Sequence, residues 1–289
     1  MSGATGPQPA WRVAIVTRIL PVALGFDGLL RDLGHEPVAL VTSRDGPGRY
    51  GPAGDVGPLL AELPAHLDVL LPSRRDRLAP LLESVRPDLA VCMGFPWKVP
   101  AAALDVPRLG WLNGHPSLLP RHRGPIPVAW TIRDGDERAG VSFHRMDAEL
   151  DTGPVLAQRA FPVGEYVPPD DFYGRMGPIV IETLAEALAR LAAGEEGDAQ
   201  QGGDYQSFFA ASDAMLDLSR PALDVHRLVW AWRYAIPEPG AERGALLTLD
   251  GATVRVLATA LEDREGARRV ECGDGPLWVL ETEPLLDRG

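Results

Sequence analysis

The chain predicts an α/β fold: a doubly wound, mostly parallel sheet, followed by a smaller β-rich domain. Three observations carry this. Residues 11–42 run strand, helix, strand, the opening of a parallel βαβ unit. Short apolar runs then alternate with amphipathic stretches as far as residue 195. Beyond residue 206 the pattern changes to short strand-like segments broken by turns. Domains are therefore placed at 1–205 and 206–289.

Residues 1–10 are small and proline-rich, with the composition of a disordered end. Trp11 to Thr17 is a buried strand, Ile19 to Leu33 a helix closed by Gly34, and His35 to Thr42 a second strand. Ser43 to Gly57 is a Gly/Pro loop. Leu59 to Leu63 suits a short helix, Leu67 to Leu71 a third strand and Arg77 to Val85 an amphipathic helix. Pro87 to Met93 is a fourth strand that runs into Gly94-Phe95-Pro96-Trp97-Lys98-Val99-Pro100. Two aromatics there fit either a flat pocket wall at the carboxyl edge of the sheet or a connecting loop whose rings fill the core. A fifth strand ends in Asn113 and His115, and Pro127 to Asp134 is the next helix. Ala139 to Met146 alternates as a strand and leads into an acidic turn, Asp147 to Gly153, from which Val155 to Ala160 departs. Asp170 to Ala193 is a long helix ending at Gly194, and Glu195 to Gly203 reads as a linker. In the C-terminal part, Pro221 to Tyr234 forms a helix with proline in its first turn. Strands follow at Ala245–Leu249, Thr253–Thr259, Arg269–Glu271 and Leu277–Thr282, with Asp250-Gly251 as a hairpin turn.

Net charge −12 argues against extensive contact with nucleic acid, which relies on clustered Lys and Arg. No segment approaches the roughly 18 apolar residues of a membrane span, and MSGATGPQPAWR lacks the apolar region of a signal peptide. Two cysteines, Cys92 and Cys272, are too few for a disulfide framework. A cytoplasmic protein is expected. The first strand–helix turn lacks G-x-G-x-x-G, so no nicotinamide or flavin dinucleotide is expected.

The stretch that carries chemistry is GWLNGHPSLLPRHRG, residues 110–124. Asn113 and His115 are two residues apart, so in an extended chain they project to the same side. Asn113 is the single asparagine of the chain and Lys98 the single lysine. An amide kept where Asp and Arg serve elsewhere points to a donor that neither charge nor hydrocarbon replaces. The competing explanation is a structural Asn-Gly turn. The loop that follows carries Ser117, Arg121, Arg123 and Gly124, a basic lip suited to a substrate. An amide, an imidazole and a carboxylate from separate strand ends suffice for acyl transfer without a covalent intermediate. No G-x-S-x-G elbow supplies a nucleophile. His115, His122 and His144 lack paired-ligand spacing, so no catalytic metal is expected.

Asn113-Gly114-His115-Pro116-Ser117-Leu118-Leu119-Pro120, then Arg123-Gly124, then Asp151-Thr152-Gly153 after GVSFHRM, resemble the signature of the folate-dependent formyltransferases. Residues 12 to about 195 resemble their Rossmann-like catalytic domain. Leu216 to Trp232 and the β region after it are similar to the OB-like C-terminal domain of the methionyl-tRNA branch. The resemblance implies N10-formyltetrahydrofolate as donor and Asn113, His115 and Asp151 as the catalytic residues. It also implies a pterin held between the loop Phe95, Trp97, Lys98, Val99 and the turn Asp147, Glu149, Leu150, largely on backbone groups.

Two departures bear on the acceptor and on the strand. Gly114 stands where the family usually has a bulky apolar residue, which is expected to loosen the strand. The loop Ser43–Gly57 has Arg44 and Arg49 but no lysine, and residues 206–289 hold nine Arg and no Lys against fourteen Asp and Glu. A tRNA-docking domain would show the opposite balance. A small or carrier-bound amine is therefore the expected acceptor, with initiator methionyl-tRNA as the alternative and a folate-binding protein without turnover as a minor one.

Overall fold

The computed structural model describes residues 10–43, 57–164, 168–236 and 243–285. The expectations for residues 1–9 and for the loop 44–56, with Arg44 and Arg49, lie outside the described residues.

Strands β1 (Arg12–Val16), β2 (Glu36–Val41), β3 (Asp68–Leu70), β4 (Leu89–Cys92), β5 (Trp111–His115), β6 (Arg138–Arg145) and β7 (Val155–Pro162) form one sheet in the order β3-β2-β1-β4-β5-β6-β7. The first five pair in parallel, and β6 runs antiparallel to β5. Parallel strands covered on both faces must be apolar throughout, and β4, Leu89-Ala90-Val91-Cys92, is buried at every position. β1 lies between β2 and β4, so the direction of winding reverses there. Such a switch point opens a crevice at the carboxyl ends of the strands.

The helices are α1 (Leu20–Asp32), α2 (Gly57–Ala61), α3 (Leu78–Val85), α4 (Ala101–Leu104), α5 (Pro127–Arg133) and α6 (Pro169–Ala192). α1 ends at Gly34, whose φ of +81° is the left-handed conformation that stops a helix. A core of Ala14, Val16, Val41, Leu78, Leu82, Ala90, Cys92, Val99, Ala103 and Trp111 packs against Phe95 and Met146. Buried Trp111 donates its indole N–H to the Ala103 carbonyl, 2.9 Å away, and so ties the start of β5 to α4.

The C-terminal part has α7 (Ala222–Tyr234) and the strands β8 (Ala245–Leu249), β9 (Ala252–Ala260), β10 (Arg268–Cys272) and β11 (Gly275–Pro284). They form an antiparallel sheet in the order β10-β11-β9-β8. Asp250 and Gly251 both have positive φ, 51° and 82°, as a two-residue type I′ hairpin turn requires.

Compactness does not divide the chain at one point. One unit is Met1–Pro120, Gly140–Arg159 and Arg175–Gly202; the other is Arg121–Ala139, Ala160–Gly174 and Gly203–Gly289. Within the second unit Phe209 packs edge-on to both Trp130 of α5 and Trp232 of α7, at 5.1 Å each. Arg133 lies over the Trp130 ring and pairs with Asp213 at 3.0 Å. These aromatic and charged contacts bring α5 to the C-terminal segment.

Candidate active site

Asn113 and His115 end β5, and alternation along the strand sends both side chains to one face. There they meet a single carboxylate oxygen. Asp151 Oδ1 is 3.4 Å from Asn113 Nδ2 and 3.6 Å from His115 Nδ1. His115 is 4% exposed, and the Asp151 side chain 12%. A carboxylate with so little water is an effective partner for an imidazole. Asp151 itself has φ +60°, which non-glycine residues seldom adopt.

The acidic turn holds Asp151 in place by its own bonds. Asp147 Oδ1 accepts from the Glu149 amide at 3.0 Å and from the Thr152 hydroxyl at 2.8 Å. Gly153 passes so close to β6 that a Cβ there would sit 1.9 Å from the Arg145 carbonyl oxygen, and that approach accounts for the glycine in Asp-Thr-Gly. Gln200 donates to the carbonyls of Asp151, at 2.9 Å, and Gly153, at 2.7 Å. From sequence this residue lay in a polar linker.

A second histidine completes the cluster. The antiparallel register sets His144 of β6 directly opposite Asn113, and its Nε2 is 3.1 Å from Asn113 Nδ2 and 3.7 Å from Asp151 Oδ1. Its Nδ1 faces the Arg145 carbonyl at 2.8 Å. In the sequence His144 was visible as one position of an alternating strand and as a histidine without paired-ligand spacing. The signal that finds it is the pairing of β5 with β6 in antiparallel register.

Phe95 and Trp97 meet edge-on at 5.4 Å, and Lys98 pairs with Glu149 at 3.7 Å, joining the aromatic loop to the acidic turn. Val99 is buried in the core, and Phe95, partly buried, packs against the same core. Leu150 and Glu149 are exposed. Aromatic faces beside backbone and carboxylate groups fit a flat heterocycle with polar edges. Cys92, in register with Asn113 on the neighbouring strand, is buried, and burial pushes its thiol up to about 12. It does not serve as a nucleophile in that state.

The lip residues fare differently. Ser117 is 1% exposed, with its carbonyl accepting from the Ser142 hydroxyl at 2.7 Å. Arg121, Arg123 and Gly124 belong to the second unit. There Arg121 forks onto Asp136 at 2.5 and 3.1 Å, and Arg123 donates to the Gly203 carbonyl at 3.3 Å. Buried His122 bonds the same Asp136 at 2.9 Å. Burial alone would raise the Asp136 carboxyl, but the bonds from Arg121 and His122 hold it below the ordinary carboxylate range. Among the described residues, no group of three or more His, Cys, Asp or Glu is arranged to hold a metal ion, and no helix is long and apolar enough to cross a membrane.

With this geometry in view, residues 35–186 match the model of the Formyl transferase family. The chain belongs to that family. It is 34% identical to a methionyl-tRNA formyltransferase of Pseudomonas fluorescens over 244 residues, covering 82% of this chain and 74% of the relative. Its fold is that of HypX from Aquifex aeolicus, solved in complex with tetrahydrofolic acid, at TM-score 0.65 and 19% identity over 95% of this chain. The alignment takes in 44% of the HypX chain, so this formyl transferase spans less than half its length. A 4-N formyltransferase from Francisella tularensis matches at TM-score 0.65 and 18% identity, over 88% of this chain and 99% of its own.

Proposed function

We propose that this formyl transferase moves the formyl group of N10-formyltetrahydrofolate to the amine, free or hydroxylated, of a small or carrier-bound substrate. The observation that carries the chemistry is the convergence of Asn113 and His115 on one oxygen of Asp151. Asn113 and protonated His115 donate to the oxygen that gains charge as the amine nitrogen bonds to the formyl carbon. Asp151 holds His115 and helps to remove the amine proton. The bond between the formyl carbon and N10 then breaks, and N10 keeps the electron pair and takes a proton. Phe95 and Trp97 supply aromatic surface for the pterin, and the backbone of the turn from Asp147 to Asp151 its polar contacts. The relative solved with tetrahydrofolic acid supports the donor.

The charge distribution favours a small acceptor. In the C-terminal segment Arg220 pairs with Asp224, Arg255 with Glu283, Arg268 with Asp250 and Arg269 with Glu271. Charges neutralised within the chain are poorly placed to displace counterions from phosphates. The names of the similar curated proteins favour the other reading, initiator methionyl-tRNA as acceptor.

Release of tetrahydrofolate, measured with charged initiator tRNA and with a panel of amino sugars and ornithine derivatives, separates the two. A small amine is expected to turn over at a rate flat with salt, and Asn113→Ala to lose roughly 100- to 1,000-fold. Fast, steeply salt-dependent formylation of tRNA would replace the small-amine reading. No difference between wild type and Asn113→Ala in any arm would end the site assignment.

A further inference from the structure

We propose that His144 is the positioning residue for the Asn113 amide, an inference that rests on Asn113 being the oxyanion donor. The ring is 2% exposed, and its Nδ1 lies 2.8 Å from the Arg145 carbonyl oxygen. A carbonyl oxygen only accepts, so Nδ1 carries a proton, and in the tautomer this selects Nε2 is the acceptor. The group of Asn113 that faces it, 3.1 Å away, is therefore the NH2 and not the carbonyl. The opposite face of the site selects the same orientation. Asp151 Oδ1 is 3.4 Å from the amide nitrogen, and an amide turned over would oppose two acceptors.

Both hydrogens of the Asn113 amide are thus directed, one by His144 and one by Asp151. They are not equivalent. The bond to His144 is the shorter, and its partner is fixed on a paired strand with its tautomer set by a backbone carbonyl. The contact to Asp151 is long, near the limit of a hydrogen bond. When charge develops on the formyl oxygen, the hydrogen on the Asp151 side, whose long contact leaves it room for a second acceptor, is the one available to that oxygen while His144 keeps the amide in place. Donors fixed in advance of the reaction are what make such a site effective.

The experiment uses a convenience of the sequence. Asn113 is the single asparagine, so 15N-asparagine labelling yields one side-chain NH2 pair. In wild type the two protons are expected to be well separated in chemical shift, and in His144→Leu to converge. With the panel amine that turns over, His144→Leu is expected to lower kcat about 10- to 100-fold while KM for the folate donor stays within about twofold. His144→Gln, whose side-chain oxygen can accept the same hydrogen, is expected to recover at least about fivefold of that loss. An unchanged Asn113 signal or unchanged kcat in His144→Leu overturns the proposal, as does a glutamine variant no better than leucine. Should the leucine variant not fold, the glutamine variant decides alone: it must keep the Asn113 shift separation and a kcat within about tenfold of wild type. Loss of all formyl transfer in wild type would instead remove the functional reading, while the labelled amide still reports whether His144 holds it.

Discussion

The ring of Phe143 fills the space that a side chain at Gly114 would need. The two residues are opposite each other in the β5–β6 register, and a Cβ on Gly114 would lie 2.8 Å from Phe143 Cζ and 3.2 Å from Met93 Sδ. The expected loosening of the strand at Gly114 is offset by this ring, which is fully buried and itself packs on Phe26 at 6.1 Å.

Gly114→Val should therefore destabilise the protein by about 1–3 kcal/mol, the usual cost of overpacking a filled core. Pairing it with Phe143→Val removes the clash and should recover about half of the loss or more. Urea midpoints of the two single variants and the double variant test this. Simple additivity would mean that the two positions do not share one space.

Gln200→Leu should act on catalysis more than on stability. The side chain holds two carbonyls of the turn that presents Asp151, so its loss leaves the left-handed Asp151 backbone less constrained. An approximately 10-fold fall in kcat, with a melting temperature within about 3 °C of wild type, is expected. A variant equally active in formyl transfer would show that Gly153 and the Asp147 bonds suffice to hold the turn.

How far the sequence leads can be judged from these residues. Strand and helix placement was legible because apolar runs and Gly or Pro punctuation are local signals: β4, β5, α1 and the Asp250-Gly251 turn stand where they were expected. That Asn113 and His115 share one side was legible from strand alternation, whereas Asp151 was singled out among the carboxylates of its turn only by the resemblance to the formyltransferases. His144 was not, because its neighbour is set by strand pairing across thirty residues of chain. Gln200 was read as linker, since its two bonds are tertiary. Helix α4 gave no periodic signal in a single turn of Ala101 to Leu104. The grouping of 121–139 with the C-terminal segment goes with Trp130, Phe209 and Trp232 meeting in space, and that of 160–174 with Phe172 and Tyr173 meeting Tyr234, and no local pattern announces either.

Thiol reactivity should separate the two cysteines. Cys92 is buried with its thiol pushed up to about 12, and Cys272 is half-buried and raised by burial and by Asp274 and Glu271. Thiolate is the reactive form, so both should react slowly at pH 8, Cys92 the more slowly. A disulfide reagent is expected to titrate at most one thiol in the native protein and two in denaturant. Rapid native modification of Cys92 with loss of turnover would put a reactive thiolate beside Asn113, against the buried setting described above.

His226 supplies a pH dependence of stability. It lies in α7, 7% exposed, with Nδ1 2.8 Å from the Thr259 hydroxyl. Burial, and to a lesser extent the charge of Arg227, lower it from 6.5 to about 4. The unfolded chain binds a proton at a pH where the folded protein does not. Its contribution is therefore complete above about pH 6.5 and is lost as pH falls from there toward 4, on the order of 3 kcal/mol in all. Below about pH 4 both states are protonated and this residue adds no further slope. Unfolding free energy measured by urea at pH 7.5, 6, 5 and 4.5 should fall across that window in wild type. The fall should be shallower in His226→Gln, which cannot take up the proton. Parallel curves for the two proteins would mean that His226 is charged in the folded state, and the burial of its ring would then need another explanation.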